Sequence, residues 1–181
     1  LASGFFTGIW ASTIDFNDPQ ESPAEIDFIA GYSRSLTDET SGSVWLAYYW
    51  YPDSDPADYD YVEILANVRH DFGSFALVGD ATWSPDYSGR TGDSVGLSAG
   101  VQVPITYDDI DWLSASAALG RQWGEDNALY ATPDWTYYEV GVTATWEIFS
   151  FDIRYTDTDT SHSECFGGTE LCAGGVVLSM T

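Results

Sequence analysis

From about Ala24 onward the chain falls into short segments in which apolar and polar residues alternate. In AEIDFIAGYSRSL, Ala24, Ile26, Phe28, Ala30 and Tyr32 share one side, while Glu25, Asp27, Gly31 and Ser33 make up most of the other. YVEILANVRHDF repeats the pattern, with Val62, Ile64, Ala66 and Val68 set against Glu63, Leu65, Asn67 and Arg69. Side chains of an extended strand switch faces at every residue, so a period of two predicts strands with one greasy and one wet surface. Ten such strands are predicted, at about residues 4–15, 24–36, 43–51, 59–72, 74–84, 93–103, 111–123, 134–148, 149–157 and 173–181. No segment with the period of an amphipathic helix competes with them.

The links alternate in length. Long, acidic, Pro/Gly/Asp-rich links follow the odd strands: FNDPQESPAE, PDSDPADYD, PDYSGRTGD, GEDNALYATPD and the segment 157–174. Shorter links follow the even strands, the tightest at Phe72-Gly73 and near Ile148. Long loops at one end and short turns at the other are the habit of an up-and-down barrel in a bacterial outer membrane, with its apolar side in lipid. A Greek-key sandwich has no reason to place every long loop after an odd strand. The expected fold is therefore all-β, an up-and-down antiparallel transmembrane β-barrel forming a single domain over 1–181, with both chain ends on the periplasmic side. Ile26, Phe28, Val62, Ile64, Val68, Val140 and Val142 are expected to face lipid.

Composition narrows the partners. The formal charge is -24, and the five basic residues are all arginine. Such a chain repels nucleic acid. Hydrophobic residues make up 44% and aromatics 16%, so the charge rides on a folded protein, much of it between the strands. No apolar run is long enough for a transmembrane helix, which leaves a barrel open because its strands need only about 9–11 residues each. No cleavable signal peptide is visible ahead of the first strand, so the chain reads as mature or truncated.

The stretch ASGFFTGIWASTIDF, then EIDFIAGYS, YYWYPDSDPADYDYVEI, HDFGSFAL and WSPDYSGRTGDS, resembles the TorF-type porin family of bacterial outer-membrane barrels over most of the chain. The resemblance implies an outer-membrane location and a porin-like or structural role. It also implies about two further strands before the position of Ala2, which would make twelve rather than ten.

Trp and Tyr gather near strand ends, and Trp45, Trp50, Trp83, Trp146 and Tyr155 are read as aromatic girdles at the headgroup level. The rival reading is a platform for stacking sugars. Glu25, Asp27, Glu63, Asn67, Arg69, Glu139, Asp152 and Arg154 have inward parity, as does Glu147, and form the expected polar network of the lumen. Arg69 and Arg154 are expected to meet carboxylates from Glu63, Glu139 or Asp152. Such a lumen is either plugged by ion pairs or water-filled and cation-preferring. Arg34 and Arg121 have outward parity at strand ends, where they can snorkel.

No GxSxG, HExxH, phosphate loop or CxxC occurs, and His70 and His162 are isolated, so no enzyme or cofactor is expected. A catalytic pair such as Glu139 with Glu63 has no motif behind it. The Asp-rich stretches DSDPADYDY and DTDTSHSE offer oxygen ligands to calcium but lack EF-hand spacing. Cys165 and Cys172, the only cysteines, lie in the last long link and read as a disulfide of an envelope protein. The expected partners are outer-membrane lipid or lipopolysaccharide, with a second copy or neighbouring envelope proteins. The alternative from a different class is a soluble secreted β-sandwich or barrel that binds carbohydrate through surface Trp and Tyr.

Overall fold

A computed structural model describes residues 4–14, 22–54, 58–107, 110–130, 133–166 and 168–181. It contains ten strands: β1 (Phe5–Thr13), β2 (Ala24–Ser35), β3 (Thr40–Trp50), β4 (Tyr61–Asp71), β5 (Ala76–Ser84), β6 (Ser94–Tyr107), β7 (Ile110–Gly124), β8 (Trp135–Trp146), β9 (Phe149–Thr158) and β10 (Gly175–Met180). A single helical turn, α1 (Asn127–Tyr130), precedes β8, and a 3-10 turn at His162–Glu164 precedes β10.

All ten strands form one antiparallel sheet in the order of the sequence. Its edges are β1 and β10, which do not pair with each other among the described residues. Long links follow every odd strand, whereas the even strands are joined by 36–39, 72–75, 108–109 and 147–148. The tight turns carry their own solutions. The backbone N–H of Phe72 donates to the Phe75 carbonyl with Gly73 at φ 84°, and Glu147 adopts φ 54° between β8 and β9. Residues 108–109 and the middles of the first two long links, 15–21 and 55–57, lie outside the described residues.

Two strands run further than the alternation predicts. β3 starts at Thr40 rather than about residue 43, because Thr40, Ser41 and Gly42 pair with His70, Arg69 and Val68. Partner strands supply what weak local propensity does not. β6 continues past 103 through Pro104 to Tyr107, paired with β7 and shifting register between Ile105 and Tyr107. β5 pairs with β6 only as far as Gln102, so beyond it β6 has β7 on one side alone. A strand edge is where a proline, with no N–H to donate, fits.

The register sorts the sheet into two faces. One carries Phe28, Leu46, Ile64, Leu119, Val140, Ile153 and Leu178; the other carries Asp27, Glu63, Asn67, Asp80, Glu139 and Arg154. Burial runs opposite to that of a water-soluble core. Leu119, Val140 and Leu178 are 58%, 51% and 75% exposed, while Asp27, Glu63 and Ser84 are 8%, 8% and 0% exposed. The apolar face is the open one.

Candidate functional site: the polar face

The polar face divides into two regions. Towards the long-loop end of β2–β4 it is aromatic and acidic. Tyr51 donates its hydroxyl to Glu25 (2.6 Å) and Tyr49 donates to Glu63 (3.0 Å). The rings of Tyr49 and Tyr61 stack at 4.4 Å, and Tyr61 meets Tyr87 of the next long link at 4.7 Å. Trp45 packs nearby over Gly31, where a Cβ would collide with the Trp45 Cβ and the Phe6 ring. Trp45 therefore stands in mid-strand on the polar face, paired with Gly31 and Leu65, and not at a strand end among the other aromatics.

Across β4–β9 the face is a belt of polar side chains on a floor of small residues. Arg69 donates to Gln102, which donates on to Ser114 (3.2 Å), and its other nitrogen lies 4.0 Å from Asp71. Asn67 donates to Asp80 (2.7 Å), which also accepts from Ser98 (3.0 Å). Arg154 reaches Glu139 (2.7 Å), Asp152 (3.2 Å) and Ser116 (3.2 Å), and Thr143 caps Asp152 (2.7 Å). A crevice of 220 Å³ opens between these groups, lined by Asp80, Gly100, Gln102, Ser116, Glu139 and Arg154.

All eight residues of the expected network thus share this face. Arg154 takes the expected carboxylates, whereas Arg69 takes Gln102 and Asp71. Glu147 sits exposed in the β8–β9 turn at φ 54°, because β8 ends at Trp146, two residues before the expected end at 148. Glu63 and Glu139 belong to separate hydrogen-bonded groups on β4 and β8. Tyr49, Tyr61, Asp80 and Gln102 are additions; the parity that found Glu63 also points to Asp80 and Gln102.

On the apolar face, aromatic residues mark both ends of the strands. Trp50, Trp83, Trp123 and Tyr155 lie towards the long loops, and Phe5, Tyr32, Trp146 and Phe149 towards the short turns. Arg121, at the loop end of β7, has its guanidinium 5.8 Å from the centre of the Trp123 ring and donates to Thr136 (3.0 Å). His70 approaches Thr40 Oγ1 at 2.7 Å and packs edge-on against Phe72.

The family model described as "Bacterial protein of unknown function (Gcw_chp)" matches residues 1–176. The chain belongs to the Gcw_chp family. No curated protein matches it, and no solved structure matches it.

In this Gcw_chp protein three of the long loops are tied into a rim. Arg90 forms ion pairs with Asp58 and Asp86, tying the β3–β4 loop to the β5–β6 loop, and Glu125 accepts from the backbone of Asp93 (3.0 Å). Hydrogen bonds to both carboxylates push the Arg90 guanidinium further towards its charged form. Cys165 and Cys172 form a disulfide in the β9–β10 loop, with Cα atoms 5.8 Å apart. Among the described residues no group of His, Cys, Asp and Glu is placed to hold a metal ion.

Two expected results follow for the rim. The disulfide closes only a short loop, and the strands are paired without it, so reduction leaves the sheet intact while opening the segment after Cys165 to protease. Limited proteolysis with and without reductant, beside far-ultraviolet circular dichroism, reads both; loss of strand signal on reduction contradicts this. Asp159 accepts from the backbone N–H of Thr136 (2.7 Å), which holds its carboxyl below the usual carboxylate range. A depressed folded-state pKa means the contact stabilises fully above the unfolded value, near pH 3.9, and is lost as pH falls through the lower folded-state value. Exchange protection of the Thr136 amide should therefore persist through pH 5 and decline only in stronger acid.

Proposed function

We propose that the chain is an outer-membrane β-barrel protein, porin-like or structural, whose apolar face meets lipid and whose polar face lines the lumen. The observation that carries this is the inversion of burial: large aliphatic side chains cover the open face while Asp27, Glu63 and the Arg154 network are packed on the other. Water would oppose that arrangement; a bilayer favours it, and aromatic residues at both ends of the apolar face suit the two headgroup levels.

In lipid an unpaired sheet edge is costly, so the edges of β1 and β10 need partners. Pairing with each other gives ten strands; two further strands of the kind implied by the TorF resemblance give twelve. The long acidic loops then face the cell exterior, where a disulfide persists, in contact with lipopolysaccharide and its bridging cations. Along the polar face Glu25, Asp27, Glu63, Asp80, Glu139 and Asp152 outnumber Arg69 and Arg154, so an open lumen would prefer cations.

The test is refolding into detergent and phospholipid vesicles. Heat-modifiable gel migration and carbonate-resistant association with vesicles are expected, and planar-bilayer reversal potentials in a potassium chloride gradient report ion preference. A chain that stays folded and monodisperse without detergent, and binds oligosaccharide, would replace this reading with the secreted carbohydrate-binding one.

A further inference from the structure

One row of residues across the polar face has an acid with nothing to hold. At the same height on adjacent strands stand Trp10 on β1, Asp27 on β2, Tyr49 on β3 and Tyr61 on β4. Asp27 is 8% exposed, and its Oδ1 is buried with no hydrogen-bond partner among the described residues. Its acidic neighbours are satisfied: Glu25 accepts from Tyr51 and Glu63 from Tyr49. The arginines are engaged elsewhere, Arg34 with the Ser35 carbonyl, Arg69 with Gln102, Arg90 with Asp58, Arg121 with Thr136 and Arg154 with Glu139. A buried carboxylate oxygen with no donor among the described residues is a large cost to carry for no return.

We propose that Asp27, flanked in register by the rings of Trp10 and Tyr49, anchors a binding site for a small organic ammonium ion at the long-loop end of the polar face. The charge calls for a cation. The surroundings choose its kind: the oxygen-bearing neighbours are Ser12 and the carboxylates of Glu25 and Glu63, which already accept from Tyr51 and Tyr49, and the other neighbouring positions offer aromatic faces and the apolar Ile29 and Ala47. Aromatic rings attract an ammonium through their negative faces, and desolvation strengthens both that attraction and the pairing with a carboxylate. A hard metal ion lacks the ligands it would need, consistent with the absence of any metal-holding group among the described residues. There is room beside the row. A Cβ built on Gly8, the next polar-face position of β1, meets nothing closer than the Ile29 Cβ at 4.0 Å.

The site depends on which side chains share the polar face and not on whether the lumen conducts, so it is tested on the folded chain in detergent micelles. Choline chloride is titrated by isothermal calorimetry and saturation-transfer NMR at constant ionic strength. Saturable binding is expected, weakened at least about tenfold by Asp27→Asn and severalfold by Trp10→Leu, with Asp38→Asn in the exposed β2–β3 turn binding as the parent does. The uncharged isostere 3,3-dimethylbutanol should bind at least about tenfold more weakly than choline, and potassium should not displace choline. Asp27→Asn removes a buried charge and should fold normally, which gel migration and circular dichroism check; Trp10→Leu gives a second reading at the sheet edge. No saturable choline binding, undiminished binding by Asp27→Asn, equal binding of the alcohol, or displacement by potassium would each overturn the site. Choline binding in micelles without bilayer conductance refutes the open lumen and leaves the site standing; conductance without choline binding does the reverse.

Discussion

Arginine at Val140 is expected to destabilise the protein in phospholipid vesicles by about 2–4 kcal/mol. Val140 lies midway along β8, paired with Ala117 on β7 and Tyr155 on β9, and points from the apolar face. If that face meets lipid, the guanidinium is placed near the bilayer midplane, where neither water nor a carboxylate can reach it without deforming the surroundings. In a water-soluble sheet the same side chain, 51% exposed, would accept arginine with a change within about 0.5 kcal/mol. The difference is large enough for one denaturant titration in vesicles to separate the two. Arginine at Ile148, in the short β8–β9 turn and 85% exposed, serves as the comparison and should cost about 0–1 kcal/mol at the interface. Equal stabilities for the two variants would exclude the lipid-facing assignment.

The second large effect is expected from Arg154→Leu. Its guanidinium holds Glu139 and Asp152 and reaches Ser116, joining β9 to β8 and β7. Removal leaves two carboxylates facing each other on a partly closed surface. A fully buried pair broken on one side loses about 3–5 kcal/mol, and the side chains here keep 17–30% of their exposure, so about 2 kcal/mol is the expected loss. Adding Asp152→Asn to that variant should recover part of it, because the two changes share one network and do not add. Unfolding of the two single variants and the double variant completes the cycle. Strict additivity would show that the ion pair is ornamental.

The two faces and the strand order were readable from the sequence for one physical reason. A period-two pattern survives any choice of neighbours, so Ile64 against Glu63 and Val140 against Glu139 assign a face without knowing the register. Contacts are a different matter, because they depend on how far each strand slides past the next. Arg69 has the parity of the polar network, but only the β4–β5 and β5–β6 registers together bring Gln102 within its reach. Trp45 misled for a related reason: its residue type suits an interface, and its parity and mid-strand position outrank that preference. The extension of β6 through Pro104 was hidden because a proline argues against a strand unless one knows that β5 has already ended.

Every pairing in the sheet joins strands that are consecutive in the chain, and this bears on how the protein can be taken apart. Each hairpin carries its own hydrogen-bonded partner, so a cut within any long loop severs one connection and no strand pair. Two fragments divided in the β5–β6 loop would each keep a complete five-stranded meander, with matching edges left at β5 and β6. The same locality lets a lineage gain or lose a hairpin at either edge without rethreading the rest, making strand number in such a sheet easier to change than the identity of its two faces.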